Sequence, residues 1–426
     1  MEAADGVADR GDPLGARSRR VRGRDPRRVG GPMRACHVVY GYFPFDPRVR
    51  REVDTLVRLG HEIDVIAMRE PGEAIHETTG KVRVHRVPFE VVRGGKLRYL
   101  FQYAVFFMAA SALLVRLHRQ RRFHIVHVHS LPDFQVFGAL PQKLGGARIV
   151  LDLHEAMPEI LAARMGASSS GGWVRLAKAM ERASCAVADR VVTVNESIRA
   201  LLVSRGVKEA KISVVMNSPD PTLLRVKGGD DLRRAIGLSS EKAIVYVGGI
   251  NAERHLELLI RAVARLRYTL PLDLVIFGYG DPAYRRVLED VARKEGLASG
   301  FHLGPRLPPE DVFSYVSLSD IGPITYERNP LTELAVPNKV FEYAAANKPL
   351  IIANLKALRG LFEGAALFYE PGDADYLARQ IRRVLEENGL SETLVRNASR
   401  VFEACRWEVM ASRLAQLYSD VATTGG

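Results

Sequence analysis

The chain has 426 residues, of which 47% are apolar and 26% charged, and its formal net charge is +12. This length exceeds one ordinary core and predicts two or three domains, and the composition is that of a water-soluble globular protein. A basic balance fits nucleic acid, membrane surfaces or phosphorylated ligands. Because no nucleic-acid recognition module accompanies the charge, we expect no nucleic-acid partner.

The first 32 residues are rich in Gly, Arg, Ala and Asp and carry almost no large apolar side chains. Such a segment cannot bury enough surface to offset the entropy of ordering it, and it lacks the apolar core of a signal peptide. We therefore expect a disordered basic tail over residues 1–32. A translation start at Met33, directly before the first apolar run, is an alternative.

The three cysteines, Cys36, Cys185 and Cys405, are far apart in the chain. Their spacing matches neither a disulfide framework nor a metal motif, which indicates a reducing, cytoplasmic setting.

Short β-branched runs alternate with helical patterns through the first half of the chain. The predicted strands of this half cover residues 35–40, 63–68, 82–87, 125–129, 148–153 and 191–194. A helical pattern over 48–59 follows the first strand and ends at Gly60, where a positive φ is accessible. Strands alternating with helices predict parallel sheets with helices on both faces.

The second half repeats this alternation. Its predicted strands cover residues 243–247, 272–277, 301–303, 321–324 and 350–352. The pattern breaks at 217–220, so we predict Rossmann-like domains over 33–212 and 213–403, and a last helix within 404–426 that crosses back to the first domain. Open α/β sheets bind ligands at the carboxyl ends of their strands, which predicts a site in a cleft between the domains.

One apolar stretch, residues 99–115, has no charged side chain and is followed by the basic run 116–122. It has 17 residues, slightly fewer than the about 20 that span a bilayer. A helix packed in the first domain, a helix lying on a membrane through 97–122 and a true span are the three interpretations, and the basic flanks favour the second over the third.

Several ordered motifs together resemble a known family. They are Asp46-Pro47-Arg48, His127-Val128-His129, Asp152-Leu153-His154-Glu155, Val215–Asp220, Gly278-Tyr279-Gly280 and Pro337-Asn338-Lys339-Val340-Phe341-Glu342-Tyr343. Over about residues 35 to 420 the chain resembles the family 4 retaining glycosyltransferases of the GT-B fold, an α/β fold of two Rossmann-like domains facing a central cleft.

The resemblance implies transfer of a sugar, with retained anomeric configuration, from a nucleoside-diphosphate sugar held by the second domain. It implies neither a metal nor another cofactor, and the sequence contains no DxD run with a plausible ligand partner and no Cys/His cluster. A sugar or lipid-linked glycan is the expected acceptor, in cell-surface polysaccharide or glycolipid synthesis at the cytoplasmic face of a membrane.

The resemblance also names donor-site residues. Glycines after a strand allow close approach to a diphosphate, and cations stabilise it as a leaving group. Residues near Arg306 and Leu307 would meet the base. The predicted donor-binding residues are Gly248, Gly249, Arg254, Arg306, Leu307, Glu333, Asn338, Lys339, Val340 and Glu342.

Glu342 matches the second acid of the family's signature, in which two glutamates are separated by seven residues. As a carboxylate it suits the ribose hydroxyls, because it accepts hydrogen bonds from a vicinal diol. The first acid of the signature would stand at position 334, which is Leu334 here. Either Glu333 takes that role or backbone groups of the loop replace it, and this departure puts the identity of the sugar in doubt.

His154 follows a predicted strand, so its imidazole should face the cleft and bind a sugar hydroxyl or the developing charge. With Glu342 it forms the predicted catalytic pair. The predicted acceptor-side residues are Gly41, Asp46, Arg48, His129 and Glu155.

Two alternatives to a transferase stay open. A sugar-nucleotide epimerase would share the architecture but need no acceptor, and a non-catalytic binding protein would explain Leu334. A nicotinamide-dependent oxidoreductase is disfavoured because no GxGxxG motif follows a strand and opens a helix.

Overall fold

An eight-stranded sheet forms the core of the N-terminal domain in the computed structural model, which describes residues 31–88, 96–165 and 171–423. Most of the predicted tail, residues 1–30, lies outside the described residues. The strands are β1 Arg34–Tyr42, β2 Glu62–Met68, β3 His76–Thr79, β4 Val82–Val87, β5 Ile125–His129, β6 Arg148–Leu153, β7 Arg190–Thr193 and β8 Ile212–Val214. Their order is β3-β4-β2-β1-β5-β6-β7-β8, and every pair is parallel except β3 and β4.

Helices cover both faces of this sheet, as its long buried strands require. They are α1 Pro47–Arg58, α2 Lys96–Arg121, α3 Leu140–Leu144, α4 Met157–Met165, α5 Gly172–Val187 and α6 Glu196–Ser204. The start of α1 shows the local cause of one such helix. The Asp46 carboxylate accepts hydrogen bonds from the backbone N–H groups of Arg48 and Val49, and Pro47 occupies the first turn.

The C-terminal domain contains two three-stranded parallel sheets, β11-β10-β9 and β12-β13-β14. Asp320 joins them, since its backbone N–H donates to the Ala243 carbonyl and its carboxylate accepts from the Ala243 N–H, both at 2.8 Å. The elements are α7 Gly229–Ile236, β9 Lys242–Val247, α8 Leu256–Ala264, β10 Leu272–Phe277, α9 Pro282–Lys294, β11 Phe301–Gly304, α10 Pro309–Val316, β12 Gly322–Ile324, α11 Asn338–Ala345, β13 Leu350–Ala353, α12 Lys356–Phe362, β14 Ala366–Tyr369 and α13 Ala374–Glu386.

Two last helices, α14 Leu390–Cys405 and α15 Trp407–Thr423, connect the domains. Helix α14 packs on α11 and α13, whereas α15 packs on α1 and β8 of the N-terminal domain. The Trp407 indole donates to the Thr55 hydroxyl at 3.1 Å, and the Met410 sulfur accepts from the Met216 N–H at 3.1 Å. The last helix therefore crosses back to the first domain.

The predicted fold class is confirmed, and the differences lie in the details. Strand β8, at 212–214, belongs to the N-terminal sheet, so the predicted domain boundary between 212 and 213 falls inside a strand. Strands β3 and β14 were not predicted, and α2 is longer than the apolar stretch 99–115 that predicts it.

Candidate functional site

A cavity of about 490 Å³ lies between the two domains and is lined by residues of both. The N-terminal domain contributes His154, Glu155 and Asn195, and the C-terminal domain contributes residues from the loop after β9 and from α11. Because β6 and β9 both end at this cavity, it occupies the place where the carboxyl ends of two parallel sheets face each other. The predicted donor-site residues that line it are Gly248, Arg254, Asn338, Lys339 and Glu342.

The Lys339 ammonium group lies over the loop that follows β9. Its Nζ donates to the Val247 carbonyl at 2.9 Å and stands 4.6 Å from the ring centre of Tyr246. A Cβ atom at Gly248 would come within 2.3 Å of this Nζ. The missing side chain at Gly248 thus leaves room for a cation at the strand end, as a diphosphate site requires.

Glu342 lies one turn after Asn338 on α11 and lines the same cavity. Burial raises the pKa of Glu342, and the Lys339 charge opposes that rise. Within the described residues no hydrogen bond involves its carboxylate, so this carboxylate is available to a ligand.

Arg254 brings a second cation to the cavity. Its guanidinium lies 4.2 Å from the ring centre of Tyr326, and its backbone carbonyl accepts from the Thr325 hydroxyl at 2.7 Å. His255, which follows, adopts a left-handed conformation with φ 49° that turns the chain into α8. Two cations and one glycine turn therefore meet beside Glu342.

His154 stands on the opposite wall, just after β6. Its backbone N–H donates to the Ser130 hydroxyl at 3.1 Å. Its Nε2 lies 3.1 Å from Oδ2 of Asp152 and 3.1 Å from Nδ1 of His129. Both side-chain contacts thus involve Nε2, while the His154 side chain lines the cavity.

Five predicted donor residues are not among the described residues that line this cavity. The Gly249 carbonyl accepts from the Tyr246 hydroxyl at 3.0 Å. Arg306 is exposed on the surface, Leu307 packs against the domain core, and Val340 is fully buried. None of these four residues is among those that line the cavity.

The fifth, Glu333, also points elsewhere. Its carboxylate accepts from the backbone N–H of Lys356 at 2.6 Å, at the start of α12, and pairs with Arg328 at 3.4 Å. Leu334, where the resemblance expects an acid, is buried and packs against the N-terminal core. Its carbonyl accepts from the Asn195 side chain at 2.8 Å. Leu334 therefore makes an interdomain contact where the acid would stand, and it lines the cavity together with residues 335–338.

On the acceptor side, only Glu155 of the five predicted residues lines the cavity. Arg48 is buried, and its guanidinium binds both carboxylate oxygens of Asp152, at 2.8 and 2.9 Å. Asp46 caps α1, Gly41 lies near the end of β1, and His129 is 1% exposed behind His154. These four residues therefore do not line the cavity, and those with side-chain contacts hold α1 and His154 in place.

Sequence reasoning missed Asn195 and Tyr326, which line the cavity, and His37, which lies behind His154 and His129. Asn195 caps α6 by accepting from the Ile198 N–H at 2.9 Å and also binds Leu334 across the cleft. An Asn before a helical pattern signals the cap, but nothing local signals the second contact.

Two groups of side chains have the composition of a metal site. The first contains His37, Glu52, His127 and His129, and the second His129, Asp152 and His154. In the first, the His127 and His129 rings stack with their centres 4.5 Å apart and their planes 13° from parallel. In the second, the Arg48 guanidinium already binds Asp152 through both carboxylate oxygens. Members of both groups are therefore already engaged with other side chains.

Comparison with known proteins identifies the family. The chain matches the Glycosyl transferase 4-like domain over residues 46–218 and the Glycosyl transferases group 1 domain over residues 230–401. It also superposes on sucrose-phosphate synthase from Thermosynechococcus elongatus, with a TM-score of 0.75 and 18% identity, over 92% of this chain and 100% of that one. The chain is a glycosyltransferase of the family 4 type with the GT-B fold.

Two further relatives of this glycosyltransferase are informative. An uncharacterized glycosyltransferase of Methanocaldococcus jannaschii is 26% identical over 377 residues, which cover 85% of this chain and 90% of that protein. Anabaena HepE, solved in complex with UDP-glucose, matches 91% of this chain and 100% of its own, with a TM-score of 0.63 and 14% identity. Both likenesses extend across the two domains and the cleft.

Proposed function

We propose that this glycosyltransferase moves a sugar from a nucleoside-diphosphate sugar to an acceptor hydroxyl with retention of anomeric configuration and without a metal ion. The proposal rests on one observation: Lys339, Arg254 and Glu342 line the same cavity, and within the described residues the Glu342 carboxylate has no hydrogen-bond partner. The cations suit a diphosphate, and the carboxylate suits two vicinal ribose hydroxyls. The UDP-glucose complex of HepE supports this class of donor.

The proposed reaction needs no enzyme nucleophile. The acceptor oxygen attacks the anomeric carbon on the face from which the diphosphate departs, and a leaving phosphate oxygen takes the acceptor proton. Lys339 and Arg254 stabilise the negative charge that grows on the diphosphate, and His154 holds a hydroxyl group on the other side. The acidic pair of glycoside hydrolases has no counterpart in this scheme.

The test is a panel of UDP-, GDP-, ADP- and TDP-sugars with sugar and lipid-linked acceptors, followed by NMR of the anomeric proton in the product. We expect one donor to give an acceptor-dependent product of retained configuration, and Lys339→Ala to abolish it while Glu333→Gln keeps it. An epimerised sugar nucleotide formed without acceptor would establish the epimerase instead. No reaction with any donor would favour the non-catalytic alternative.

We further propose that α2 lies on the cytoplasmic surface of a membrane, where a lipid-linked acceptor would be presented. Among the described residues α2 alone is long and apolar enough to cross a bilayer, with a mean hydropathy of 1.7 in its most apolar 18-residue window. One side of it packs on the sheet through Phe106, Ala110 and Leu114. The other side exposes 67% of both Phe101 and Met108.

The charge that follows α2, and the exposed apolar residues of α5, fit the same orientation. Helices α2 and α5 both pack on residues 133–139. Arg116, Arg119 and Arg122 follow the apolar side of α2, and α5 exposes Trp173 by 67% and Leu176 by 55%. Apolar side chains beside arginines suit the interface of an anionic bilayer. The protein should therefore sediment with phosphatidylglycerol vesicles, less with phosphatidylcholine vesicles, and less after Phe101→Ser with Met108→Ser. Tyr268→Ser, an exposed aromatic of the C-terminal domain, is the control, and equal sedimentation of all three proteins would refute this orientation.

A further inference from the structure

A continuous series of close polar contacts, between histidine ring nitrogens and one tyrosine hydroxyl, runs from the cleft into the interior of the N-terminal domain. We call it the imidazole chain; its members, in order, are His154, His129, His37, Tyr418 and His127. The His129–His154 contact measures 3.1 Å and the His37–His129 contact 2.9 Å. The Tyr418 hydroxyl lies 3.1 Å from Nε2 of His37 and 3.0 Å from Nδ1 of His127.

We propose that Asp152 determines which ring nitrogen of each histidine in this chain carries the hydrogen. In this proton order His154 turns an unprotonated Nδ1 toward the cleft and accepts a hydrogen from a substrate hydroxyl. Asp152 is then a positioning residue, and His154 is a hydrogen-bond acceptor rather than a donor. The inference rests on the proposed function, since the hydroxyl belongs to the transferred sugar or to the acceptor.

Burial alone would raise the pKa of Asp152, but the charge of Arg48, with hydrogen bonds from His129 and His154, holds it well below its ordinary value. An ionised carboxylate only accepts hydrogen bonds. Its Oδ2 lies 3.1 Å from Nε2 of His154 and 3.3 Å from Nδ1 of His129.

The alternative order is disfavoured by the same contacts. If His129 donated to a bare Nε2 of His154, that lone pair would face the Asp152 oxygen at 3.1 Å with no hydrogen between them. The hydrogen therefore sits on Nε2 of His154. A neutral imidazole carries only one such hydrogen, so Nδ1 is bare. No hydrogen bond to Nδ1 forms within the described residues, and the His154 side chain lines the cavity.

The remaining links follow the same direction. Because His129 donates from Nδ1 to Oδ2 of Asp152, at 3.3 Å, its Nε2 accepts from Nδ1 of His37. Nε2 of His37 in turn accepts the hydroxyl hydrogen of Tyr418. The Tyr418 oxygen then accepts from Nδ1 of His127, and a bare Nε2 of His127 faces Glu52 at 3.9 Å.

Two further observations agree with this order. Desolvation, the largest effect, lowers the pKa values of His37, His127 and His129, which are neutral as the order requires. Burial raises the pKa of Glu52 well above its ordinary value, and a protonated carboxyl group is what a bare imidazole nitrogen favours.

The first test is the tautomer of His154, read from the imidazole ¹⁵N shifts of histidine-labelled protein and assigned by the signal that His154→Asn removes. We expect Nε2 to be protonated and Nδ1 to be bare, and a protonated Nδ1 would overturn the proposal. This measurement needs no turnover, so it stands even if the proposed function fails. In folded Asp152→Asn, whose amide can donate to Nε2 of His154, we expect the His154 tautomer to reverse. An unchanged tautomer would show that Asp152 does not determine it.

Asp152→Asn leaves Arg48 buried without its counter-charge, and this variant could fail to fold. Two variants of His154 then test which ring nitrogen meets the substrate. The amide of His154→Asn replaces Nδ1, whereas that of His154→Gln reaches the place of Nε2. We expect His154→Asn to retain at least tenfold more kcat/KM than His154→Gln, with nucleotide binding unchanged in both. The reverse ranking would contradict the proposal, and His76→Asn, on the exposed strand β3, is the assay control.

Discussion

Replacing Tyr418 with phenylalanine should destabilise the contact between the last helix and the N-terminal domain. The ring of Tyr418 is fully buried, and its hydroxyl joins His37 and His127. Tyr418→Phe keeps the ring but leaves one buried donor and one buried acceptor unpaired. Each such group costs about 1–3 kcal/mol, so we expect a loss of about 2–6 kcal/mol in the free energy of unfolding.

The matched control is Tyr369→Phe in the C-terminal domain. Tyr369 is equally buried, but its hydroxyl makes a single long contact of 3.5 Å with the Ile324 carbonyl, so about 1 kcal/mol or less should be lost. Urea unfolding followed by tryptophan fluorescence suits the comparison. Trp407 of α15 is 4% exposed and Trp173 is 67% exposed, so the change in signal comes chiefly from Trp407. Equal losses for the two variants would refute the reasoning.

Three further predictions concern the cleft and its support. Lys339→Ala should lower kcat about 10²–10³-fold and also raise the KM for the preferred donor, because the cation binds the diphosphate and stabilises the charge that grows on it in the transition state; an unchanged kcat would contradict the second role. Gly278→Ala should lower the melting temperature strongly, since its Cβ would lie 1.7 Å from the Gly248 carbonyl oxygen, whereas Gly360→Ala, with nothing within 4 Å, should not; equal effects would refute the packing argument. The free energy of unfolding should fall below about pH 6.5, because five histidines with lowered pKa values in the folded protein bind protons more readily when unfolded: His37, His61, His118, His127 and His129. Buried carboxyl groups with raised pKa values, such as Glu52 and Asp133, oppose this effect. Urea titrations at pH 7.5 and 5.5 in which the free energy does not fall would contradict the neutral cluster.

Most strands of the sheets were predictable because they contain short runs of apolar, often β-branched residues. Strand β3, His-Glu-Thr-Thr, was not, since all four residues are exposed and polar and its pairing with β4 defines it. Helix α2 was found by its uncharged stretch, but its ends are polar and extend to Lys96 and Arg121. Local pattern thus gives the order of elements, and tertiary pairing determines the edges.

The functional site likewise contains residues that local sequence predicts and residues whose roles depend on distant partners. Lys339 and Glu342 could be predicted because they are close in sequence and share one helix that starts at the cleft. Arg48 could not be recognised as structural, since its partner Asp152 is 104 residues away. The role of Glu333 is decided by Lys356 and by no local feature.

The imidazole chain shows the limit most clearly. His127 and His129 alternate along β5 and so lie on one face, which the sequence alone indicates. His37 joins them because β1 pairs with β5 in register, and Tyr418 joins them because α15 returns across the whole molecule. Contacts of such separation depend on the complete fold.

The central claim is that the cleft binds a nucleoside diphosphate through Lys339 and Glu342. Its most direct test is a thermal-shift screen of UDP, GDP, ADP and TDP against the wild type, Lys339→Ala, Glu342→Gln and Glu333→Gln. A ligand at about 100 times its dissociation constant adds about 2.7 kcal/mol to the folded state. We predict that one nucleotide stabilises the wild type and Glu333→Gln by several degrees and fails to stabilise the other two. Stabilisation of all four proteins alike, or of none at millimolar nucleotide, would contradict the account.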